Sequence, residues 1–287
     1  MTEACLGLPA PAKLNLFLHV TGRRPDGKHL LQSIFTLIDL ADTVDLALCP
    51  SGKVEREGDL TGPAEDDLCV RAARLLKERF RIDAGVRIRL EKRIPVGAGL
   101  GGGSSDAATV LIGLNRLWNL RLTRTELMTL GVELGADVPF FLFGRNAFAE
   151  GIGERLLPMD LPDARFRLIW PGRGVSTGKI FSAPDLTRST ETRKIAVFSD
   201  SIRNRWPALP GHNDLEPVAA RIEPAVQEAL RMLSDSGFEP RMTGSGSTVF
   251  AVEPEGAPKR SLNLSEGWLE FRVRSLPVHP LASWLTE

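Results

Sequence analysis

The sequence predicts an α+β protein of two domains. Apolar residues recur with strand spacing in some segments and with helical spacing in others, and the two kinds do not alternate strictly along the chain. A doubly wound α/β sheet needs that alternation, so α+β is the better prediction. The chain has 287 residues, and a domain averages about 150 residues. We place the boundary at the proline-rich stretch 158–162, which gives domains over residues 1–158 and 159–287.

The elements follow from apolar spacing, in chain order. Strands are predicted at 14–20, 34–40, 43–48, 86–90, 147–149, 166–170 and 248–252. Helices are predicted at 67–80, 104–118, 123–134 and 215–233. Thr123 and Glu126 form a capping box at the start of the third helix, and Gly135 ends it.

Composition excludes several classes of protein. Acidic and basic residues balance at 36 each, which argues against a nucleic-acid partner. No apolar run reaches membrane-spanning length and no signal-like start is seen, so we expect a cytoplasmic protein that does not contact membranes. The three cysteines and four histidines show no metal-ligand spacing. We therefore expect reduced, packing thiols and no metal ligands among these residues.

The most informative segment is residues 95–108, which read P-V-G-A-G-L-G-G-G-S-S-D-A-A. Glycines allow backbone N–H groups to surround a ligand, and Ser104, Ser105 and Asp106 suit the start of the apolar helix that follows. A glycine loop that leads into a helix N-terminus is an anion site, and the usual anion is phosphate.

Other interpretations of this segment are weaker. A P-loop needs Gly-Lys followed by Ser or Thr, and no such sequence occurs. Gly97, Gly99 and Gly102 satisfy G-x-G-x-x-G, so an NAD-dependent oxidoreductase is an alternative. That fold needs a second strand and an acidic residue after the helix, whereas this sequence continues with another helix.

Three further segments carry candidate chemistry. Lys13 and Asn15 begin a strand, Asp137 follows the helix-ending Gly135, and residues 243–247 form a second Gly/Ser loop. Phosphoryl transfer needs phosphates held, charge neutralised and a hydroxyl oriented in line. A carboxylate such as that of Asp137 can accept the hydroxyl proton, and a lysine such as Lys13 can stabilise charge.

These segments resemble the GHMP kinase superfamily. The glycine segment is similar to its phosphate loop, while P-A-K-L-N-L-F-L at 11–18, P-D-G-K-H-L-L at 25–31, L-G-A-D-V-P-F-F at 134–141 and M-T-G-S-G-S at 242–247 resemble one branch of it. The substrate of that branch is methylerythritol linked to cytidine diphosphate, on the non-mevalonate route to isoprenoids. The resemblance runs in family order from residue 11 to about residue 251 and covers most of the chain.

The resemblance implies a two-domain GHMP kinase fold, with a ribosomal-protein-like N-terminal domain, a ferredoxin-like C-terminal domain and the active site in the cleft between them. It implies ATP as co-substrate, with Mg²⁺, and transfer of the γ-phosphate to the 2-hydroxyl of the substrate. Lys13 and Asp137 would be the catalytic pair. The ATP phosphates would lie on Pro95, Val96, Gly97, Ala98, Gly99, Leu100, Gly101, Gly102, Gly103, Ser104 and Ser105.

The resemblance also implies substrate contacts. These are Asn15, His29 beside the cytosine, Phe181 stacked on it, and Thr243, Gly244 and Ser245 from the second domain. The adenine would lie near Leu68 and Lys92.

The chain departs from the branch at two positions. Lys28 stands where a tyrosine usually stacks on cytosine, and Asp67 stands where asparagine is common. Lys28 could meet the diphosphate as a point charge.

Two alternatives stay open beside the oxidoreductase. Another GHMP kinase, such as homoserine kinase, would need no cytosine site. An RNA-binding module would share the ribosomal-protein-like fold, although the zero net charge argues against it. We expect a small-molecule partner only, and a monomer or weak homodimer.

Overall fold

Two long antiparallel strands run through the first half of the chain and carry several of the predicted site residues. The structure is a computed structural model, and it describes residues 3–59, 62–254, 256 and 262–287. β1 (Ala4–Arg23) pairs with β2 (His29–Cys49) along almost its whole length. These strands are longer than the apolar alternation alone predicts.

The strand β2 is continuous where the sequence predicts separate strands at 34–40 and 43–48. The register with β1 shifts between Pro11 and Ala12, with the extra residues on β2. Such a shift is a bulge, which bends a strand without ending it. The interruption of the apolar pattern near Asp42 therefore marks a bulge and not the end of a strand.

The rest of the first half surrounds this pair. Its elements are β3 (Val54–Gly58), α1 (Leu68–Phe80), β4 (Gly85–Glu91), α2 (Gly102–Leu117), α3 (Arg124–Leu134), α4 (Val138–Phe143), β5 (Ala147–Glu150) and β6 (Arg155–Pro158). β2 pairs with β1, β4 and β5, β5 also pairs with β6, and β3 pairs with β4 in parallel. Buried residues of α1 to α4 and of β1, β2 and β4 share one hydrophobic cluster.

The second half adds four strands and four helices in the described part of the chain. They are β7 (Arg165–Trp170), α5 (Thr177–Ser182), α6 (Ile195–Arg205), α7 (Glu216–Ile222), α8 (Pro224–Asp235), β8 (Arg241–Met242), β9 (Val249–Glu253) and β10 (Leu269–Leu276). The strand order β10-β7-β9-β8 is antiparallel throughout. The end of β10 also pairs with β2, so a single sheet joins the two halves.

The predicted helix at 215–233 is wrong as one element. It is divided into α7 and α8, and the division falls at Glu223 and Pro224. Proline has no backbone N–H and its ring clashes with the preceding turn, so it starts a helix well but does not sit in the middle of one. Glu223 accepts a hydrogen bond from the N–H of Ala225 and so caps α8.

The predicted α+β class is confirmed. The predicted boundary after residue 158 lies between β6 and β7 and stays a prediction. Past β10 the chain returns to the first half, where Leu281 and Leu285 join the cluster around α1 to α4. None of the helices in the described residues is both long enough and apolar enough to cross a membrane.

Candidate active site

The glycine loop, residues 95–105, connects β4 to α2. Two of its apolar residues, Ala98 and Leu100, are buried in a hydrophobic cluster that joins β1 and β2 to β7, β9 and β10. Residues 95–104 line a small cavity of about 330 Å³. The loop is therefore anchored by its apolar residues, while its glycines bring the backbone close to a cavity.

The helix α2 begins within this loop. Gly101 is its N-cap residue, with a left-handed φ of 71°, and no side chain in the described part of the chain caps the helix. An uncapped N-terminus leaves backbone N–H groups without partners at the positive end of the helix dipole. The start of this 16-residue helix is therefore suited to hold an anion.

A second loop, residues 243–247, touches the glycine loop. A Cβ atom on Gly99 would lie 2.4 Å from the carbonyl oxygen of Thr243, and one on Gly244 would lie 2.7 Å from the carbonyl oxygen of Gly99. The N–H of Thr248 also donates to the carbonyl oxygen of Ala98 at 3.1 Å. The two Gly/Ser segments, 95–105 and 243–247, are far apart in the sequence but form one continuous backbone surface.

Ser104 and Ser105 have different surroundings. Ser104 lines both the small cavity and a larger cleft of about 760 Å³. The hydroxyl of Ser105 is fully buried and donates to the carbonyl oxygen of Pro11 at 2.6 Å. It therefore fastens α2 to β1.

Lys13 lies on the wall of the large cleft, with its side chain almost wholly buried. Its Nζ donates to Oδ1 of Asn15 at 2.5 Å and lies 5.5 Å from the centre of the Phe35 ring. Burial lowers the pKa of the Lys13 ammonium, and the carboxylate of Asp137 opposes that shift. Lys13 is thus held in a fixed position beside the glycine loop.

Asp137 lies between α3 and α4 and faces the same cleft. Its Oδ2 is 3.7 Å from Nζ of Lys13, and its side chain is 36% exposed. Among the described residues it makes no capping hydrogen bond to α4. The carboxylate is therefore paired with Lys13 on one side and open to a ligand on the other.

Asn15 links this pair to the second loop. Its Nδ2 donates to the hydroxyl of Ser33 at 2.7 Å, and its backbone N–H donates to Oγ1 of Thr243 at 2.8 Å. The Asn15 amide is therefore held in place by Ser33, with its oxygen turned toward Lys13, and it lines the large cleft.

His29 and Phe181 stack on each other at the far end of the large cleft. Their ring centres are 4.6 Å apart with an angle of 25° between the planes. Lys28 lines the same end of the cleft and is exposed, as is Arg23. The structure therefore brings two aromatic rings and two cations together at this end of the cleft.

The small cavity lies on the other side of the glycine loop. Leu68 and Lys92 line it, as does Asp67. The Asp67 carboxylate accepts hydrogen bonds from the first N–H groups of α1 and forms an ion pair of 2.7 Å with the buried Arg56. Arg56 gives the aspartate at this position an internal partner of opposite charge.

Three residues of the site escape prediction from the sequence. Thr177 lines both cavities, and its hydroxyl is 2.7 Å from that of Ser245. Ser33 holds Asn15, and the buried Nδ2 of Asn213 donates to the carbonyl oxygens of Met242 and Gly244. The polar run Gly-His-Asn-Asp at 211–214 is the signal that points to Asn213.

No cluster of three or more His, Cys, Asp or Glu side chains that could hold a metal ion occurs in the described ranges. The described residues therefore provide no such cluster that could coordinate a metal ion through protein side chains alone. The dinucleotide alternative also fails on structure, since α2 is followed by α3 and not by a second strand.

Comparison with known proteins agrees with this geometry. Residues 67–145 match the GHMP kinases N terminal domain, and residues 193–262 match the GHMP kinases C terminal domain. The chain belongs to the GHMP kinase family, and it is an ATP-dependent kinase that acts on a small molecule.

Within that family the chain is similar to enzymes of one specificity. It is 49% identical to the 4-diphosphocytidyl-2-C-methyl-D-erythritol kinase of Variovorax paradoxus, over 99% of this chain and 100% of the relative. It is 54% identical to the enzyme of the same name from Thiobacillus denitrificans, over 97% and 98%.

Solved structures of GHMP kinases are similar to this chain as well. A crystal structure of 4-(cytidine 5′-diphospho)-2C-methyl-D-erythritol kinase shares 34% identity and a TM-score of 0.76, over 95% of this chain and 98% of that one. The homoserine kinase from Cytophaga hutchinsonii has a TM-score of 0.67 at 16% identity, over 97% and 96%, and shows the shared fold alone.

Proposed function

We propose that this kinase transfers the γ-phosphate of ATP to the 2-hydroxyl of 4-(cytidine 5′-diphospho)-2-C-methyl-D-erythritol, in the non-mevalonate route to isoprenoid precursors. One observation carries the proposal: the glycine loop lines two cavities, and the Lys13–Asp137 pair faces only the larger one. A nucleotide bound in one cavity and an acceptor bound in the other would meet at the glycine loop. The names of the relatives, which align over nearly the whole chain, supply the acceptor.

The nucleotide takes the small cavity in this proposal. Its phosphates lie on the glycines and on the N-terminus of α2, whose free N–H groups and dipole favour negative charge. The adenine lies toward Leu68 and Lys92, which line the same cavity. Ser105 contributes through its backbone position only, because its hydroxyl is bonded to Pro11.

The acceptor hydroxyl lies beside Asp137. The carboxylate takes the hydroxyl proton as the acceptor oxygen forms a bond to the γ-phosphorus, and the bond from that phosphorus to the bridging oxygen of ADP breaks. Lys13 keeps the carboxylate in place and offers positive charge to the transferring phosphoryl group. Asn15 and Thr243 hold Lys13 in that position.

The cytidine end of the substrate takes the far end of the large cleft. Phe181 provides an aromatic surface for the base, and His29, which stacks with Phe181, provides a hydrogen bond to it. Lys28 and Arg23 line the cleft near His29 and provide positive charge for the diphosphate. Gly244 and Ser245 line the same cleft nearer to Lys13, since a Cβ atom on Gly244 would lie 3.0 Å from Nζ of Lys13.

Mg²⁺ enters the proposal as an ion carried by the nucleotide. In phosphoryl-transfer sites this ion is held mostly by phosphates and water, with one or two protein oxygens. Side-chain oxygens near the glycine loop come from Asp137, which lines the large cleft, and from Ser104, Thr177 and Ser245, which line both cavities. When bound, the ion would neutralise charge on the phosphates. We further propose a monomer or weak homodimer in the cytoplasm, which size-exclusion chromatography with light scattering and cell fractionation would test.

ADP release with a panel of acceptors tests the function. The purified chain is given ATP and, in separate reactions, 4-(cytidine 5′-diphospho)-2-C-methyl-D-erythritol, homoserine or mevalonate. We expect ADP release to rise above the acceptor-free rate with the cytidyl compound alone. Turnover of homoserine with none of the cytidyl compound would contradict the proposal and would favour the homoserine kinase alternative.

A further inference from the structure

Arg188 lies behind the His29–Phe181 stack and holds both residues. Its Nε donates to Nε2 of His29 at 3.2 Å. Its second terminal nitrogen donates to the carbonyl oxygens of Phe181, at 3.0 Å, and of Ala183, at 2.6 Å. The first donates to the carbonyl oxygen of Leu186 at 3.0 Å. Arg188 is half-buried and is not one of the residues that line the large cleft.

The chemistry of the guanidinium determines which ring nitrogen of His29 carries the proton. A guanidinium has five N–H donors, has no acceptor and does not lose its proton in proteins. Nε2 of His29 must therefore accept the hydrogen bond from Arg188 with a lone pair. In a neutral imidazole the proton then lies on Nδ1, which has no hydrogen-bond partner in the described part of the chain.

The surroundings also favour the neutral ring. Burial lowers the pKa of His29, and the positive charges of Arg188 and Arg23 lower it further. The imidazole thus presents one donor, Nδ1–H, to a ligand in the cleft. Cytosine has a lone pair at N3 where uracil has an N–H, so a fixed donor distinguishes the two bases.

We propose that Arg188 is the positioning residue of the base site: it holds His29 with its proton on Nδ1, so that this nitrogen donates to the ring nitrogen of a cytosine, and it fixes the Phe181 backbone on which the stack depends. The inference rests on the proposed function, because it takes a cytidine diphosphate as the ligand of this end of the cleft. It adds a residue that selects the base without touching it.

Nitrogen-15 NMR of His29 in the unaltered enzyme tests the first step. The ring-nitrogen shifts of the two neutral tautomers differ, and assignment by comparison with His29→Gln identifies the signal. We expect the proton on Nδ1 near neutral pH. A proton on Nε2 would overturn the proposal.

Binding of CDP and UDP to Arg188→Met tests the second step. Because a hydrogen bond to a charged partner is lost and His29 is released, we expect CDP to bind at least about tenfold more weakly. UDP affinity should fall by less than CDP affinity, since UDP loses the support of the Phe181 stack but no matched donor. Equal loss for both ligands, or none for either, would overturn the proposal.

Kinetics of the same variant separate positioning from catalysis. The KM for the cytidyl substrate should rise at least about tenfold while kcat and the KM for ATP stay within about threefold. Arg221→Met is the matched control, since Arg221 pairs with Asp185 in the same region and does not contact His29. Arg188→Lys keeps the positive charge but has fewer N–H donors. Its KM for the cytidyl substrate should therefore lie between those of Arg188→Met and Arg221→Met.

These experiments distinguish two failures. If the unaltered enzyme does not phosphorylate the cytidyl substrate, the proposed function is wrong, whatever the tautomer. If it does, and Arg188→Met behaves like Arg221→Met, only the role of Arg188 is wrong.

Discussion

The backbone N–H of Asn15 donates to the hydroxyl oxygen of Thr243 at 2.8 Å, and the two residues are 228 positions apart. Both are buried. The bond joins the strand that carries Lys13 to the loop that touches Gly99. The two halves of the chain therefore meet at the residues that carry the proposed chemistry, and the position of Lys13 depends on both.

Removing the Thr243 hydroxyl tests that link. Thr243→Val keeps the shape of the side chain but leaves the buried N–H of Asn15 without an acceptor. Such a loss costs about 1–3 kcal/mol, so the free energy of unfolding should fall by that amount in denaturant titrations. The kcat/KM should fall as well, because Asn15 holds Lys13. Thr243→Ser keeps the hydroxyl, so it should retain most of the stability and most of the kcat/KM. Equal losses in the two variants would contradict a role for the bond between Asn15 and Thr243.

Gly99 tests the close approach of the two loops. Gly99→Ala requires an alanine at φ +77°, and its Cβ would lie 2.4 Å from the Thr243 carbonyl oxygen. Strain of about 1–3 kcal/mol follows, so ATP should bind about 5- to 150-fold more weakly by calorimetry. Gly103→Ala is the control, since the nearest atom to its Cβ is Leu68 Cδ1 at 3.8 Å. Similar ATP affinities in the two variants would show that the loops do not depend on their contact.

The ion pair of Arg56 and Asp67 tests the wall of the small cavity. Their side chains are 3% and 5% exposed. Asp67→Asn leaves Arg56 with an unpaired buried charge, so the free energy of unfolding should fall by about 3 kcal/mol. The double variant with Arg56→Met removes that charge and should recover part of the loss. A double variant less stable than Asp67→Asn alone would contradict this account.

Asp106 makes stability depend on pH. It is buried against Lys92, with Nζ 2.7 Å from its Oδ2, and Lys92 also binds Asp42. Burial raises the pKa of Asp106 from its ordinary 3.8 to about 7, although Lys92 opposes the rise. Between those values the folded protein keeps a proton that the unfolded chain has lost, so stability falls as pH rises through this window.

Asp106→Asn isolates that effect. The amide does not titrate, so the Tm of the variant relative to the unaltered protein should rise as pH increases from about 4 to about 7. Thermal unfolding at several pH values measures the difference. A difference in Tm that stays constant over this range would show that Asp106 does not titrate there.

Local signals in the sequence predict much of the fold. The helices α1, α2 and α3 follow from apolar spacing, and the Thr123 capping box and Gly135 lie where expected. Such signals act within a few residues of chain. The strand β10 carries such a signal too, since Leu269, Phe271 and Val273 alternate with charged residues, but the strands predicted above do not include it. Its pairing with β7 and β2 is what apolar spacing does not reveal.

The candidate site likewise contains features that local sequence signals predict and features that depend on tertiary structure. The glycine loop, Lys13 and Asp137 are recognisable because their residue types already suit a phosphate and a proton transfer. Their distances depend on tertiary structure: the register of β1, the α3–α4 junction and the second loop together set the 3.7 Å between Lys13 and Asp137. Arg188 carries no motif at all, and only its contacts with His29 and Phe181 identify it.

The kcat of Asp137→Asn tests the central claim most directly. The substitution removes the base but keeps the size of the side chain, and Asp137 makes no capping bond that the change would break. With ATP and the cytidyl substrate saturating, kcat should fall at least about 10²-fold, while the Kd for ATP stays within about threefold. A kcat within about threefold of the unaltered enzyme would contradict the role of Asp137 as the base.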